Sequence, residues 1–384
     1  MLQKLSVIIL ILGMGLNSLA QDTYLNAQAS NDEKTYSGGN SYEVKTYPQK
    51  FKSTKPKNVI FLIGDGMGVT QVFAGLSANH GHLFLENLRH IGFSKTQSAN
   101  NYITDSAAGG TALSAGVKTY NGAIAVDMDR KPVKTILEKA EENGLSTGLV
   151  STSTITHATP ASFIAHQPDR NMYEQIAADF LKTDIDVFIG GGRDNFMKRR
   201  DGRNLVEELK QKGYQYADNM EDIKNIQSGK LAGLVEDSDA GRMEHRKDML
   251  PVSTQTAIDI LSKNEKGFFL MVEGSQIDWG GHAGSTVYIV EEMLDFDKVI
   301  GKVLDFAAKD GQTLIVVTAD HETGGFATVG GNMSTGMIKG AFTSGDHTAV
   351  MVPVFAYGPG AEEFIGIMEN TEVNQKMEKL LLGK

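Results

Sequence analysis

A serine and a scatter of acids and histidines are the residues of this chain that could do chemistry together. Ser106 stands in Asn101-Tyr102-Ile103-Thr104-Asp105-Ser106-Ala107-Ala108-Gly109-Gly110-Thr111-Ala112-Leu113, where a polar turn feeds a small-residue run that reads as a helix. The first turn of a helix has unpaired N–H groups and the positive end of the dipole, so it suits an anion. The small residues behind Ser106 would let a bulky group approach its hydroxyl. Thr104, Asp105 and Ser106 are also common N-cap types, and capping alone would account for the motif. The rest of the chain tips the balance toward chemistry. Asp65, Glu273 and the pair Asp320-His321 each follow an apolar run. Asp278 precedes His282 by four residues, and His347 follows the glycine-containing loop Ser344-Gly345-Asp346.

Converging carboxylates without basic partners repel one another and resist ionisation unless a cation lies between them. Imidazoles among them make that cation zinc-like, because zinc accepts nitrogen and oxygen ligands. Asp278 and His282 could serve one ion from a helical turn or a tight loop, with His347 as a candidate third ligand. In Thr156-His157-Ala158-Thr159-Pro160-Ala161, Thr159 could lend a hydroxyl to a hard cation, and Glu273 a carboxylate. Thr before Pro is equally a common loop start. Arg170 offers a forked clamp for phosphate, although a surface ion pair is the usual fate of an arginine.

The elements that must position these groups follow from the apolar pattern. Val59-Ile60-Phe61-Leu62-Ile63 reads as a buried strand ending at Gly64-Asp65-Gly66. Further strands are expected at Thr147 to Val150, Asp186 to Ile189, Phe268 to Val272 and Thr313 to Val317, with a last one near Met351 to Ala356. Helical periodicity precedes most of them: Pro132 opens one helix, and others cover Tyr173 to Leu181, Thr254 to Leu261 and Met293 to Ala308. Val373 to Leu382 reads as a terminal amphipathic helix. Continuous apolar strands alternating with helices predict an α/β fold, a large, mostly parallel central sheet flanked by helices on both faces. Ligands of such sheets gather beyond the carboxyl ends of the strands, where Asp65, Glu273, Asp320 and His321 fall.

Composition sets the outer limits. The 384 residues include no cysteine, which excludes disulfides, thiolate metal sites and a cysteine nucleophile. A formal charge of −10 leaves no basic stripe for nucleic acid. Residues 1–20 read as a signal peptide: Lys4, the apolar run Leu5 to Leu12, and Ser18-Leu19-Ala20 before Gln21. The apolar run is short for a stable membrane span, so the mature chain is expected to be exported, periplasmic or secreted. Residues 21–57 have the composition of a mobile N-terminal arm, and 58–384 form the expected catalytic domain. Within it, about 193–250 is more charged and reads as a peripheral segment.

Asp65-Gly66-Met67-Gly68, Thr104-Asp105-Ser106-Ala107, Val272-Glu273-Gly274-Ser275-Gln276-Ile277-Asp278, Thr318-Ala319-Asp320-His321-Glu322 and Asp346-His347 resemble, in order, the motifs of the alkaline phosphatase family. The resemblance runs from about Asn58 to near the C-terminus. It implies a single-domain α/β enzyme hydrolysing phosphate monoesters with two zinc ions and one magnesium ion. On this resemblance Ser106 is the nucleophile and forms a phosphoserine. Asp278, His282 and His347 hold one zinc; Asp320, His321 and Asp65 hold the other. Asp65 also reaches magnesium beside Thr159 and Glu273, and Arg170 binds the phosphate. Two positions depart from the best-known bacterial pattern. His157 stands where an Asp often lies near magnesium, and Trp279 stands where a Lys or His often meets the phosphate network. Family members are often homodimers, which the residues themselves leave open.

Three rivals remain to be separated. A sulfatase of the same superfamily needs a Cys/Ser-x-Pro-x-Arg motif, which Ser106-Ala107-Ala108-Gly109-Gly110 is not. A two-metal phosphodiesterase is disfavoured by Arg170, Thr159 and Glu273, because a diester has one fewer charged oxygen to satisfy. A non-catalytic phosphate- or metal-binding protein has no use for an intact serine beside a full ligand set. The negative net charge conflicts with an anionic substrate only at long range. Three divalent ions would outweigh, at contact, a diffuse charge screened over about 8–10 Å.

Overall fold

The computed structural model describes residues 31–39 and 41–383. The expected signal peptide and the start of the arm lie outside the described residues. Ten strands form one sheet: β1 Asn58–Gly64, β2 His90–Lys95, β3 Ser146–Thr154, β4 Val187–Gly191, β5 Gln215–Ala217, β6 Leu231–Leu234, β7 Phe268–Gly274, β8 Thr313–Thr318, β9 Val352–Tyr357 and β10 Gly366–Glu369. Their spatial order is β10-β2-β9-β8-β1-β7-β3-β4-β6-β5. Only β9 runs against its neighbours, pairing antiparallel with both β2 and β8. Helices α1 Val69–Ala78, α2 Ser106–Ala115, α3 Met249–Leu261, α4 Gln276–Ala283, α5 Thr286–Asp310 and α6 Asn370–Leu382 cover it together with shorter ones.

The alternation of a strand divides β1 between two cores. Ile60 and Leu62 join α3 and α5 on one face. Val59, Phe61 and Ile63 join α2 and α6 on the other. Both faces are dry, so a continuous apolar run is what a central strand here requires. That is why β1, β7 and β8 were legible from sequence. Strands β2, β5, β6 and β10 escape that reading because they are short, glycine-bearing or open to solvent on one side.

The structure adds to three expectations. Pro132 does not open a helix; it bridges Val126, and the helix starts at Ile136 behind a Thr135/Glu138 capping box. The reciprocal hydrogen bonds of that box outweigh a proline's fit at a first turn. Within the expected peripheral segment at about 193–250, β5 and β6 form the edge of the sheet. Arg246 ties the segment to α5 through Glu292 (2.9 Å) and Asp295 (2.6 Å), all three buried. Finally, within the expected mobile arm at 21–57, residues 41–57 are pinned at intervals. The Tyr42 hydroxyl donates to Asp297 at 2.7 Å and the Tyr47 hydroxyl to Asp305 at 2.9 Å, both on α5. An extended strap held by isolated side chains has no periodicity to read. Among the described residues no helix is long and apolar enough to cross a membrane.

Candidate active site

The three central strands each deliver an acid to the same end of the sheet. Asp65 follows β1, Glu273 lies near the end of β7, and Asp320-His321 follow β8. These strands are neighbours in the order β8-β1-β7, so parallel pairing alone brings the groups together. Asp278 and His282 lie on α4, and their spacing places both on one face of it. His347 pairs across a two-residue ladder with Thr323, which brings it back over Asp320-His321. Gly66 makes the convergence possible. Its φ is +73°, and a Cβ there would sit 2.6 Å from the Asp278 Cα.

Among the described residues two groups could each hold an ion: Asp278, His282 and His347, and Asp65, Asp320 and His321. Within each, the ligand atoms lie within 4.8 Å of one another. Hydrogen bonds orient the first group. The His282 Nδ1 lies 2.9 Å from the Gly345 carbonyl, and the His347 Nδ1 lies 2.9 Å from the Thr104 carbonyl. A carbonyl only accepts, so both Nδ1 atoms carry the proton and both Nε2 atoms face inward. Those Nε2 atoms are 3.1 Å apart and need a cation or a shared proton between them. In the second group Asp65 Oδ1 and Asp320 Oδ2 are buried without a hydrogen-bond partner, as is Glu273 Oε1 nearby. Buried, unpartnered carboxylate oxygens are costly, and oxygen-seeking cations are their ordinary partners.

The electrostatics agree. Burial, then the charges of Asp320, Asp278 and Glu273, push the Asp65 carboxyl well above the usual carboxylate range. Burial, then Asp278, raises Asp320 to about 6. Burial raises Glu273 to about 7, against the hydrogen bonds of Ser151 and Ser275. Burial opposes a charged His347, but its bond to Asp278 prevails and lifts it to about 9. Such a set fits divalent cations, whose charge removes the repulsion behind these shifts.

Ser106 faces this cluster. Its Oγ is 3.2 Å from His321 Nε2. Of the three cap candidates the structure selects Asp105, leaving Ser106 as the first helical residue with its hydroxyl free of capping. The small residues that follow serve close packing rather than access. All of α2 is buried, and a Cβ on Gly109 would come within 3.1 Å of Asp320 Cβ. Thr159, on the short helix Ala158–Ala161, donates to Asp65 Oδ2 at 3.2 Å. Arg170 reaches Asp105 at 3.1 Å and His157 Nε2 at 3.4 Å. His157 is 6% exposed; burial, then the Arg170 charge, lowers it to about 3, so its ring is neutral. Trp279 is 5% exposed and meets the His157 ring edge-on at 6.2 Å. Sequence reasoning missed the partnership of Asp105 with Arg170, and the serines that hold Glu273. The signal for the first was adjacency to Ser106; Ser151 carried none.

An α/β sheet with a serine at a helix start, facing two acid–imidazole clusters, defines a metal-dependent hydrolase of the phosphoryl-transfer kind. The chain belongs to the alkaline phosphatase family, whose model matches residues 56–341 and 338–382. It is 36% identical to alkaline phosphatase 3 of Bacillus subtilis over 99% of this chain and 97% of that protein. It is 32% identical to the alkaline phosphatase of Escherichia coli, covering 86% of this chain and 87% of that one. The solved structure of alkaline phosphatase from the Antarctic bacterium TAB5 superposes with a TM-score of 0.82 at 45% identity, covering 86% of this chain and 99% of that one. A His-to-Asp variant of that enzyme has been solved with Mg bound in its M3 site. The chain is accordingly a metal-binding enzyme that hydrolyses phosphate monoesters.

Proposed function

We propose that hydrolysis proceeds through a phosphoserine on Ser106, with Asp278, His282 and His347 holding one zinc ion and Asp65, Asp320 and His321 a second. Thr159, Glu273 and Asp65 hold magnesium in this reading. The observation that carries it is the Ser106 Oγ, 3.2 Å from His321 Nε2 at the meeting of the two ligand groups. When bound, the ions supply the positive charge that acidifies a hydroxyl and offsets phosphate charge. The remaining work falls to the chain. Ser106 Oγ attacks phosphorus, forming a Ser–O–P bond as the ester O–P bond breaks and the alcohol leaves. Water then displaces the serine oxygen, releasing inorganic phosphate and restoring the hydroxyl. The Arg170 guanidinium and the N–H groups opening α2 orient the non-bridging oxygens. His157 lies against Arg170, and Trp279 in turn meets the His157 ring edge-on.

The test pairs metal content with turnover. The intact enzyme should lose aryl phosphate hydrolysis on chelation and regain it with zinc. Ser106→Ala should retain zinc yet trap no phosphoryl group and hydrolyse neither aryl phosphate nor aryl phosphodiester. Full activity of the zinc-free protein, or phosphoryl trapping in Ser106→Ala, would refute the assignment. Preference for the diester would favour the phosphodiesterase reading.

Two further parts of the proposal concern setting. Export rests on the signal-like residues 1–20, and cell fractionation tests it. Self-association has support at the sheet edge. Ile91, Phe93, Ile365 and Ile367 are 49%, 36%, 58% and 66% exposed, and Ile367 pairs directly beside Phe93 on the open strand β10. An apolar face at an unpaired sheet edge is suited to a second copy of the chain.

A further inference from the structure

Thr323 lies between the two ligand groups and belongs to neither. It is fully buried, and its backbone is fixed at several points. Its N–H donates to the Gly66 carbonyl at 3.2 Å, its carbonyl accepts from Gln71 Nε2 at 3.0 Å, and it pairs with His347 across the short ladder. The side chain therefore has little freedom to choose its contacts. Its hydroxyl touches Asp278 Oδ1 on one side and lies 3.2 Å from His321 Nδ1 on the other. The approach is close: a Cβ on Gly66 would come within 2.8 Å of the Thr323 Oγ1.

Counting donors settles the direction of this chain. A hydroxyl has one proton, and an ionised carboxylate can only accept, so the Thr323 proton goes to Asp278. The Thr323 oxygen is then left to accept in its contact with His321, so the 3.2 Å bond requires an N–H on His321 Nδ1. His321 Nε2 is left bare, 3.2 Å from Ser106 Oγ and from Asp320 Oδ2, and 3.5 Å from Asp65 Oδ1. A lone pair among carboxylate oxygens needs a cation or a donor, and the Ser106 hydroxyl is within reach to donate until an ion takes its place. The same Asp278 oxygen lies 3.4 Å from His282 Nε2 and 3.5 Å from His347 Nε2. One hydroxyl thus orients a ligand of each group.

We propose that Thr323 is a positioning residue that couples the two metal clusters, fixing the His321 tautomer through one hydrogen bond and the Asp278 carboxylate through another. The inference rests on the proposed zinc ligands. The consequence is that one substitution outside both ligand sets weakens both ions. Losing a hydrogen-bond partner of a ligand typically costs 10–100-fold in metal affinity.

The test is zinc affinity by chelator competition on the full-length enzyme, alongside kcat and KM. Thr323→Val and Thr323→Ala both remove the hydroxyl. Each should release both zinc ions about 10–100-fold more readily and lower kcat more than it raises KM. Thr323→Ser should restore both ions to the wild-type level. Melting of the zinc-free proteins separates a packing defect, and the alanine variant stands in should the valine variant not fold. Asp278→Asn is the control for the ligand assignment. If it keeps two tightly held zinc ions, the ligand reading itself fails. If it loses zinc while either hydroxyl-free variant binds both ions as wild type does, the coupling by Thr323 is overturned alone. Failure of Thr323→Ser to rescue would overturn it equally.

Discussion

One carboxylate of Asp105 both starts the helix that carries Ser106 and anchors Arg170. Its Oδ1 accepts the Ala108 N–H at 2.9 Å, while Oδ2 takes the Arg170 guanidinium at 3.1 Å and the Gly122 N–H at 2.9 Å. Ser106 and Arg170, the proposed nucleophile and phosphate clamp, are therefore registered to one another through a single side chain. Asp105→Asn should leave the cap nearly intact, since Asn caps as well as Asp. It weakens the hold on Arg170 by about 1 kcal/mol, roughly fivefold. The expected outcome is a KM raised by about that factor, with melting temperature somewhat lowered because the Gly122 N–H also loses its acceptor. Unchanged KM in steady-state assays would show that the guanidinium needs no anchor.

His166 provides a pH-dependent contribution to stability away from the site. Its Nε2 lies 3.0 Å from Glu138 and its Nδ1 lies 2.8 Å from the Ala125 carbonyl. Burial disfavours the charged ring, but the bond to Glu138 prevails and the ring stays protonated above its ordinary range. A raised histidine binds its proton more tightly folded than unfolded. Its stabilisation is complete below about 6.5, the unfolded value, and fades as pH rises through the higher folded value. Denaturation of His166→Gln against the parent should show a gap at pH 6 that narrows by pH 9. A gap constant across that range would contradict the pairing.

Capture of substrate should respond weakly or inversely to salt. The chain carries a formal charge of −10, which repels an anionic ester at a distance, while attraction is confined to the pocket. Stopped-flow or kcat/KM measurements from low to high ionic strength test this. A steep fall with added salt would mean that long-range attraction dominates.

Self-association should depend on the open sheet edge. Ile367→Lys places a charge in the centre of the exposed apolar face without touching either core. Sedimentation is expected to show two copies in the parent and one in the variant, with melting of the monomer little altered. A variant that sediments as the parent does would place any interface elsewhere.

Much of this molecule was legible because its chemistry sits on its most regular part. The runs at β1, β7 and β8 are largely apolar since both faces are covered, and an acid stands at or just beyond the end of each. Residue type and position therefore spoke together for Asp65, Glu273, Asp320 and His321. His347 was harder, arriving from a two-residue strand with no pattern of its own. Thr323 and Ser151 carried no signal, because a buried hydroxyl acquires meaning only from what folding sets beside it. The strap at 41–57 was hard to read for a related reason: its tyrosines pack against α5, about 250 positions away in sequence.

The two ligand groups differ in how deeply they are set. Asp65, Asp320 and His321 are all buried at the middle of the sheet, whereas His282 and His347 are only partly covered, His282 leaning on the Gly345 carbonyl and His347 on that of Thr104. The inner group is fixed by strands that hold the whole domain, whereas the outer one can loosen with a local yielding of the loop at Gly345. On the proposed ligand assignment, the enzyme trades its outer ion with the surroundings on a shorter clock than its inner one. Starvation for metal would empty it in a fixed order, from the rim inward.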